Sequence, residues 1–206
     1  MIHEKFLAPV SEKNIRSKDR VRDLAEVFTA EREVKAMLDL VGDVTHLPET
    51  TFLEPSCGSG NFLVEIIDRK IETVFARNKR QPDIERGLLR SLMSIYAVDI
   101  CRGNVDEARR RVWGRVTSAW AFKMNTRNMS PELLAAGPAI LRRNIQVCDF
   151  LKGRDDCVMT EYVGPINGKY VLKNFRLSDP SKTISAQGGA TLANLPLLLC
   201  EKGIPA

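Results

Sequence analysis

Apolar residues recur through much of the chain at the spacing of amphipathic helices. In residues 30–41, Val34, Met37, Leu38 and Val41 follow the i, i+3, i+4, i+7 pattern of a single helical face. Apolar residues also mark two later segments, within 63–75 and 88–93, and a further helix is predicted after Asp99. Helices are therefore predicted over residues 30–41, 61–78, 82–94 and 104–116.

Short apolar segments alternate with these helices and predict strands. Residues 95–98, Ile-Tyr-Ala-Val, form a continuous apolar run that is typical of a buried strand. Two further strands are predicted over 50–54 and 144–148, and the polar stretch that leads to Pro138 is predicted to be a connection. Strands that alternate with helices favour an α/β fold, with a parallel sheet and helices on both faces.

Each predicted strand is closed by an acid, which is Glu54, Asp99 or Asp149. Ligands of parallel sheets bind beyond the carboxyl ends of the strands. For any one of these acids, a role as helix cap or turn former is the simpler interpretation. Three acids in order after a glycine turn instead favour one ligand-binding edge.

The last quarter of the chain has a different pattern. Glycines and prolines recur in residues 153–206 and the apolar alternation is weak, so this extension is predicted to be irregular. Within it, Tyr162-Val163 and Lys169–Phe175 are predicted to pair as a hairpin around a Gly-Pro-Ile-Asn-Gly turn. Asp179-Pro180-Ser181 predicts another turn.

Composition places the chain among ordinary globular domains. Its 206 residues, 44% of them hydrophobic, suit one domain with a real core. The longest apolar run, Leu192–Cys200, is broken by Asn194 and Pro196 and is too short to cross a bilayer. We therefore expect no membrane partner. Five scattered cysteines and two histidines do not form a zinc pattern, so we also expect no bound metal. Scattered, unpaired cysteines are typical of a reducing, cytoplasmic location.

The chain is mildly basic, with a formal net charge of +5. Arginines concentrate at 109–111, 115, 142 and 143. Such a concentration is compatible with binding to nucleic-acid phosphates. From charge alone, however, a solvated helix face is the favoured interpretation.

One segment combines a strand, an acid, a glycine turn and the start of a helix. It covers residues 52–63, Phe-Leu-Glu-Pro-Ser-Cys-Gly-Ser-Gly-Asn-Phe-Leu. Gly58 and Gly60 allow positive φ and a close approach of a ligand to backbone N–H groups at a helix N-terminus. A Gly-x-Gly alone is common in α/β proteins, whereas the whole string is much more specific.

This string resembles motif I of the S-adenosylmethionine-dependent DNA methyltransferases that modify the exocyclic amine of adenine, the modification subunits of restriction systems. Residues 19–41, which include Leu24–Thr29, are similar to the upstream motif of this family, although Ala30 stands where proline is usual. The resemblance implies that Phe28 and Thr29 help to hold the methionine end of the cofactor. Residues 95–100 and 144–151 are similar to its second and third motifs. The resemblance implies a Rossmann-like parallel sheet of the methyltransferase type, here incomplete, with an N-terminal helical segment and an irregular C-terminal tail.

The resemblance also implies a cofactor site for S-adenosyl-L-methionine. Glu54 would lie near the methionine ammonium, Asp99 would accept hydrogen bonds from the ribose hydroxyls, and Asp149 would contact the adenine amine. The implied cofactor-binding residues are Phe28, Thr29, Glu54, Pro55, Ser56, Cys57, Gly58, Gly60, Asn61, Phe62, Asp99, Ile100, Asp149 and Phe150.

The acceptor motif of the family does not follow Asp149. In the family an Asn/Asp-Pro-Pro-aromatic tetrad would hold the target amine and stack on the flipped base. The nearest candidates are Gly164-Pro165-Ile166-Asn167 and Asp179-Pro180-Ser181-Lys182, each with one proline and no aromatic residue in place. No catalytic residue is therefore assigned.

Three hypotheses follow from this pattern. In the first, the chain is the cofactor-binding part of an enzyme that acts on double-stranded DNA, and a second protein supplies the acceptor loop and target recognition. The chain would then consist of an arm (1–20), a methyltransferase domain (21–152) and an extension (153–206). In the second, the chain is self-sufficient and uses Asn167 or Asp179 in an unusual acceptor loop within 155–182. In the third, it is a non-catalytic adenosylmethionine-binding module or a decayed fragment.

Overall fold

The computed structural model describes residues 29–125 and 128–200. The predicted arm 1–20 and the predicted site residue Phe28 lie outside the described residues. No helix within the described ranges has the length and apolar character needed to cross a membrane.

The described residues form helices and strands in mixed order. The elements are α1 (Glu31–Val41), a 3-10 helix (Asp43–His46), β1 (Phe52–Glu54), α2 (Asn61–Arg77), α3 (Gln81–Met93), β2 (Ile95–Asp99), α4 (Arg102–Met124), α5 (Pro131–Asn144), β3 (Ile145–Val147), β4 (Val158–Ile166), β5 (Lys169–Arg176), β6 (Asp179–Ala190) and α6 (Leu195–Cys200).

The first three strands form a parallel sheet in the order β1-β2-β3. Phe52 pairs with Ile95, and Ala97 pairs with Ile145, so that all three strands run in one direction. The helices α2 and α3 connect β1 to β2, and α4 and α5 connect β2 to β3. The prediction of an α/β fold with a parallel sheet is therefore confirmed.

The helices share one apolar core with one face of this sheet. Ile95 and Ala97 of β2 lie in this core and are fully buried. Other fully buried members come from α2, α3, α4 and α5, and include Leu63, Ile67, Leu88, Leu92, Val112, Leu133 and Ile140. Removal of these side chains from water supplies most of the driving force for this packing.

The predicted connection through Pro138 is wrong, because residues 131–144 form the helix α5. Its N-terminus is capped by Ser130, whose hydroxyl accepts a hydrogen bond from the N–H of Leu133 at 3.1 Å. At Gly137, an added Cβ would lie 2.3 Å from the Trp113 ring of α4. The lack of a side chain at Gly137 thus lets α5 pack closely on α4, and the helix continues through Pro138.

The predicted irregular extension is also wrong for residues 158–190, which form an antiparallel sheet in the order β4-β5-β6. The predicted hairpin between β4 and β5 is confirmed, with Val163 opposite Val171 and Ile166 opposite Lys169. Asp179 begins β6 instead of forming a turn, and the turn lies one step earlier, at residues 177–178. Every residue of β6 except Ala190 is exposed, which explains why no apolar alternation marks this strand.

This second sheet packs on the parallel sheet where helices were expected. Tyr96 and Val98 of β2 lie in an apolar cluster with Met159 and Leu177. The hydroxyl of Tyr96 donates to the carbonyl of Thr160 at 2.9 Å. The expectation of helices on both faces is therefore corrected, since the face of Tyr96 and Val98 contacts a second sheet.

A buried arginine joins the second sheet to α5. The Arg143 guanidinium donates to Oγ1 of Thr160 at 2.6 Å and to Oδ1 of Asn174 at 3.0 Å. Burial lowers the pKa of Arg143. Because its hydrogen-bond partners lie on β4 and β5, this side chain fixes two strands to the end of α5.

Candidate functional site

A tight turn at residues 55–60, here called the glycine loop, connects β1 to α2. The N–H of Cys57 donates to the carbonyl of Val98 at 3.0 Å, and the N–H of Gly60 donates to the carbonyl of Cys57 at 2.8 Å. Gly60 has φ +88°, and a Cβ there would lie 2.9 Å from Cβ of Ala108 on α4. Only glycine meets both conditions, which places the loop directly against α4.

Asp99 closes this loop from the end of β2. Its Oδ2 accepts a hydrogen bond from the N–H of Gly58 at 2.9 Å. Its Oδ1 accepts from the N–H of Cys101 at 2.8 Å and from Nδ2 of Asn104 at 3.3 Å. The carboxylate is buried, with 7% of the residue exposed. Asp99 therefore has a clear structural role, alongside the ribose-binding role predicted for it.

Glu54 lies at the other side of the same loop, at the end of β1. It is half-buried, and its Oε1 accepts a hydrogen bond from the N–H of Ser56 at 3.4 Å. Burial raises the pKa of Glu54. Burial, together with the nearby charges of Asp99 and Glu54, raises the pKa of the Cys57 thiol to about 12. Cys57 is therefore a neutral core side chain and not a nucleophile at neutral pH.

Thr29 and Asn61, both predicted site residues, meet at the start of α2. Nδ2 of Asn61 donates to the carbonyl of Thr29 at 3.0 Å. Nη1 of Arg111 on α4 donates to Oδ1 of Asn61 at 2.8 Å, to the carbonyl of Ser59 at 2.7 Å and to the hydroxyl of Ser59 at 3.2 Å. One guanidinium thus contacts both the glycine loop and the residue that holds Thr29.

Asp149 and Phe150 follow β3 at the same end of the sheet. The N–H of Cys148 donates to the carbonyl of Asp99 at 3.0 Å, which joins the ends of β2 and β3. Oδ1 of Asp149 accepts hydrogen bonds from the next turn, at 2.9 Å from Leu151 and 3.2 Å from Lys152. The carboxylate thus shapes its own turn.

Two apolar side chains at this edge differ in how far they are covered. The Phe150 ring is half-buried and lies 5.2 Å from the Arg154 guanidinium. Ile100, which follows Asp99, is 63% exposed. Ile100 is therefore open to solvent at this edge of the sheet.

The strand order brings the predicted site residues to one edge of the parallel sheet. Glu54, Asp99 and Asp149 close three adjacent parallel strands, as the sequence predicted. Pro55 and Ser56 are exposed within the glycine loop, and Phe62 is partly buried against the helical core. The ligands assigned to these residues stay predictions.

Most of the arginines that suggested a nucleic-acid surface make contacts within the fold. Arg115 forms a two-point ion pair with Asp68 at 2.7 and 2.5 Å. Arg109 donates to the carbonyls of Ile145 and Arg142 at 2.8 and 3.0 Å. Arg111 and Arg143 are engaged as described above. These arginines therefore hold α4 and α5 in place, and they do not form a free phosphate-binding stripe.

The acceptor candidates lie in the second sheet. Asn167 is in the β4–β5 turn with φ +51°. The neighbouring Gly164 accepts a hydrogen bond from Arg90 near the end of α3, which leads into the amino end of β2. Asn167 thus lies toward the edge opposite the glycine loop. Asp179 is exposed at the start of β6, where its carboxylate accepts a hydrogen bond from Ser181 at 2.6 Å.

A charged cleft of about 320 Å³ lies elsewhere, between α1, the 3-10 helix and α2. Its walls are Lys35, Asp39, His46, Glu65, Asp68, Arg69 and Glu72. Arg69 pairs with Asp39 and Glu65 at 2.7 and 2.9 Å. None of the predicted site residues lines this cleft, and the wall residues Asp39, Glu65 and Asp68 take part in ion pairs with arginines.

The sequence did not predict a role at the site for three residues near the glycine loop and the β3 turn. Arg111 belongs to a basic run, and Asn104 and Arg154 belong to no recognised motif. Their roles depend on which groups the fold brings next to them. The spacing of Asp99 and Asn104 around a helix start is the one sequence pattern that could have predicted a hydrogen bond between them.

Comparisons of this chain with protein-family models, with curated proteins and with solved structures found no match. The resemblance to adenine methyltransferases therefore stays a prediction from the quoted motifs.

Proposed function

We propose that this chain is the S-adenosylmethionine-binding component of a cytoplasmic DNA adenine N6-methyltransferase of a restriction-modification system. The observation that carries the proposal is the hydrogen bond from Gly58 to Asp99. It joins residues 41 positions apart and brings the first two sequence motifs into one site. A glycine loop closed by an acid from the neighbouring strand suits a ligand with an amino-acid end and a ribose.

The residues present fit this cofactor. Half-buried Glu54 suits an ammonium, Asp99 suits a ribose diol, and exposed Ile100 suits the face of an adenine ring. S-adenosylmethionine, when bound, supplies an electrophilic methyl group. The residues of this chain would bind and orient the cofactor, and they include no assigned acceptor for the target amine.

A second polypeptide would complete the enzyme on double-stranded DNA. The strand order supports a Rossmann-like sheet, of which β1-β2-β3 would be one half. β1 is an edge strand in the described part of the chain, and its Leu53 is 45% exposed. Because an edge strand can pair with another chain, β1 is where we place the missing strands.

Photo-crosslinking with methyl-tritiated S-adenosylmethionine tests the proposal. The purified chain is irradiated with the label in the presence of unmodified DNA, and the digested nucleosides are counted in parallel. We expect label on the protein and none in N6-methyladenine. Label in N6-methyladenine would contradict the need for a partner and would support the self-sufficient enzyme instead.

The control variants are chosen from exposed apolar residues. Asp99→Ala is unsuitable alone, because it removes three hydrogen bonds of the fold. Ile100→Asp should abolish crosslinking without unfolding the chain, since Ile100 is 63% exposed. Leu40→Asp changes a residue that is 89% exposed on α1 and should leave crosslinking unchanged. Equal labelling of both variants, or no labelling of the unchanged protein, would contradict cofactor binding at this site.

The second candidate is a non-catalytic adenosylmethionine-binding module. The position of Asn167 toward the opposite edge of the sheet favours it over a self-sufficient enzyme that uses Asn167. Adding candidate modification partners to the crosslinking mixture distinguishes the two. Transfer to DNA with a partner supports the enzyme component, and crosslinking without transfer under every pairing supports the module.

A further inference from the structure

We propose that Arg111 is a positioning residue for the glycine loop and that Asn61 extends its effect to Thr29. The part of this inference that concerns the cofactor rests on the proposed function. The part that concerns the loop does not.

Arg111 holds the peptide between Ser59 and Gly60 in the glycine loop. Its Nη1 lies 2.7 Å from the carbonyl oxygen of Ser59. The N–H of the same planar peptide belongs to Gly60, and it donates to the carbonyl oxygen of Cys57 at 2.8 Å. Both polar groups of this peptide are therefore held, one by a charge from α4 and one by the loop itself.

The same guanidinium sets the direction of the Asn61 side chain. Nη1 lies 2.8 Å from Oδ1 of Asn61, which turns the amide nitrogen of Asn61 away from Arg111. That nitrogen donates to the carbonyl of Thr29 at 3.0 Å. A hydrogen bond from a charged group is stronger than one between neutral groups. Arg111 thus defines the orientation of Asn61, and Asn61 ties the chain at Thr29 to the N-terminus of α2.

These hydrogen bonds join three parts of the chain that are distant in sequence, namely Thr29, the glycine loop with the start of α2, and Arg111 on α4. Thr29 and Asn61 are 32 residues apart, and Arg111 is 52 residues beyond Ser59. The methionine end of the cofactor is predicted to lie between Thr29 and the glycine loop. Arg111 would therefore act on that end through its neighbours and not by touching it.

Arg115 offers a matched control on the next turn of α4. It also contacts α2, through two bonds to Asp68 at 2.7 and 2.5 Å, but it makes no contact with the loop. Replacing either arginine by methionine removes one charge and two or more hydrogen bonds of α4, which run to Ser59 and Asn61 for Arg111 and to Asp68 for Arg115. Only Arg111→Met removes the contact with Ser59.

The first experiment measures amide hydrogen exchange in Arg111→Met, Arg115→Met and the unchanged protein, without any cofactor. We expect exchange in residues 56–63 to be faster by tenfold or more in Arg111→Met only, on the order expected for losing charge-assisted hydrogen bonds. Unchanged exchange in this segment, or equal acceleration across all helices in both variants, would overturn the role of Arg111.

The second experiment measures the affinity of the same proteins for S-adenosylmethionine by calorimetric titration. We expect Arg111→Met to raise Kd by about 10- to 100-fold and Arg115→Met to leave it unchanged. Arg111→Lys should recover part of the loss, because lysine keeps the charge but not the two-acceptor geometry. An Arg111→Met protein with unaltered Kd would overturn the link to the cofactor.

Asn61→Ala keeps the Arg111 guanidinium and its hydrogen bonds to Ser59, and it removes both hydrogen bonds of the Asn61 side chain, including the connection to Thr29. It should accelerate exchange at residues 29–34 and leave the exchange of Ser59 and Gly60 slow. Acceleration at the loop without any change at 29–34 would overturn the role given to Asn61. If the unchanged protein binds no S-adenosylmethionine, the proposed function fails, while the exchange measurements still decide the role of Arg111.

Discussion

Lys70 is a fully buried ammonium held by oxygens near the amino ends of β1 and β2. Its Nζ donates to the carbonyl of Thr50 and the hydroxyl of Ser94, both at 2.6 Å, and to the carbonyl of Pro48 at 3.3 Å. Three acceptors match the three donors of a charged lysine. Burial without a paired carboxylate nevertheless lowers the pKa of Lys70 to about 7.

This buried lysine predicts a pH dependence of stability. A lysine in the unfolded chain keeps a pKa near ~10.4, so between pH 7 and about 10 the unfolded state binds more protons than the folded state. The free energy of unfolding should therefore rise with pH in this window, by at most ~1.4 kcal/mol per pH unit. Below pH 7 both states are protonated, and this contribution no longer changes.

Urea unfolding at several pH values measures this effect. The difference in unfolding free energy between the unchanged protein and Lys70→Met should increase from pH 7 to 10. The control Lys79→Met replaces an exposed lysine and should show a constant difference. A constant difference for Lys70→Met as well would mean that its three hydrogen bonds keep the folded pKa near that of the unfolded chain.

At the scale of elements, the contact between α4 and α5 depends on one glycine. An added Cβ at Gly137 would lie 2.3 Å from the Trp113 ring, whereas one at Gly114 on α4 meets nothing within 4 Å. Gly137→Ala should therefore destabilise the protein by ~1–3 kcal/mol, because overpacking outweighs the gain in helix propensity.

Gly114→Ala is the matched change without a clash. It should stabilise the protein by up to ~1 kcal/mol, since alanine is the better helix former. Thermal unfolding of both variants measures the two effects, and Trp113→Leu should reduce the cost of Gly137→Ala. Stabilisation by both substitutions would contradict the close contact of α5 with Trp113.

Most helices and the parallel strands were predictable, because most of the helices repeat apolar residues on one face and β2 is a continuous apolar run. α5 was missed because Pro138 outweighed the start signal of Ser130 and Pro131. β6 was missed because both of its faces are exposed, which leaves no period to find. In the site, the motifs predicted the loop and its acids. The groups around Arg111 lie 50 or more residues away in sequence, so only the fold shows that they meet.

At the scale of the whole molecule, the two sheets share their cores. Tyr162 and Leu172 of the second sheet belong to the helical core, and Tyr96 of the parallel sheet belongs to the cluster of Met159. The boundary predicted at residues 152 and 153 thus separates side chains that are buried together.

This sharing predicts one cooperative unfolding transition. Scanning calorimetry should give a single peak whose calorimetric enthalpy equals its van't Hoff enthalpy, as for other small two-state domains. Arg143→Met should lower the midpoint without splitting the peak, because Arg143 joins α5 to both β4 and β5. Two separate peaks in either protein would contradict a common core.

The hydrogen bonds of Asp99 have a consequence for how fast a ligand is captured. A carboxylate offers about four acceptor positions, and donors of Gly58, Cys101 and Asn104 occupy three of them. A ribose diol donates two hydrogens, so one internal bond has to open before the diol is fully bound. Under the proposed function, stopped-flow association rates would then reach a plateau as cofactor concentration rises. The bond from Asn104, which is the longest of the three at 3.3 Å, is expected to open first, so its opening would set that plateau and limit the rate of cofactor uptake.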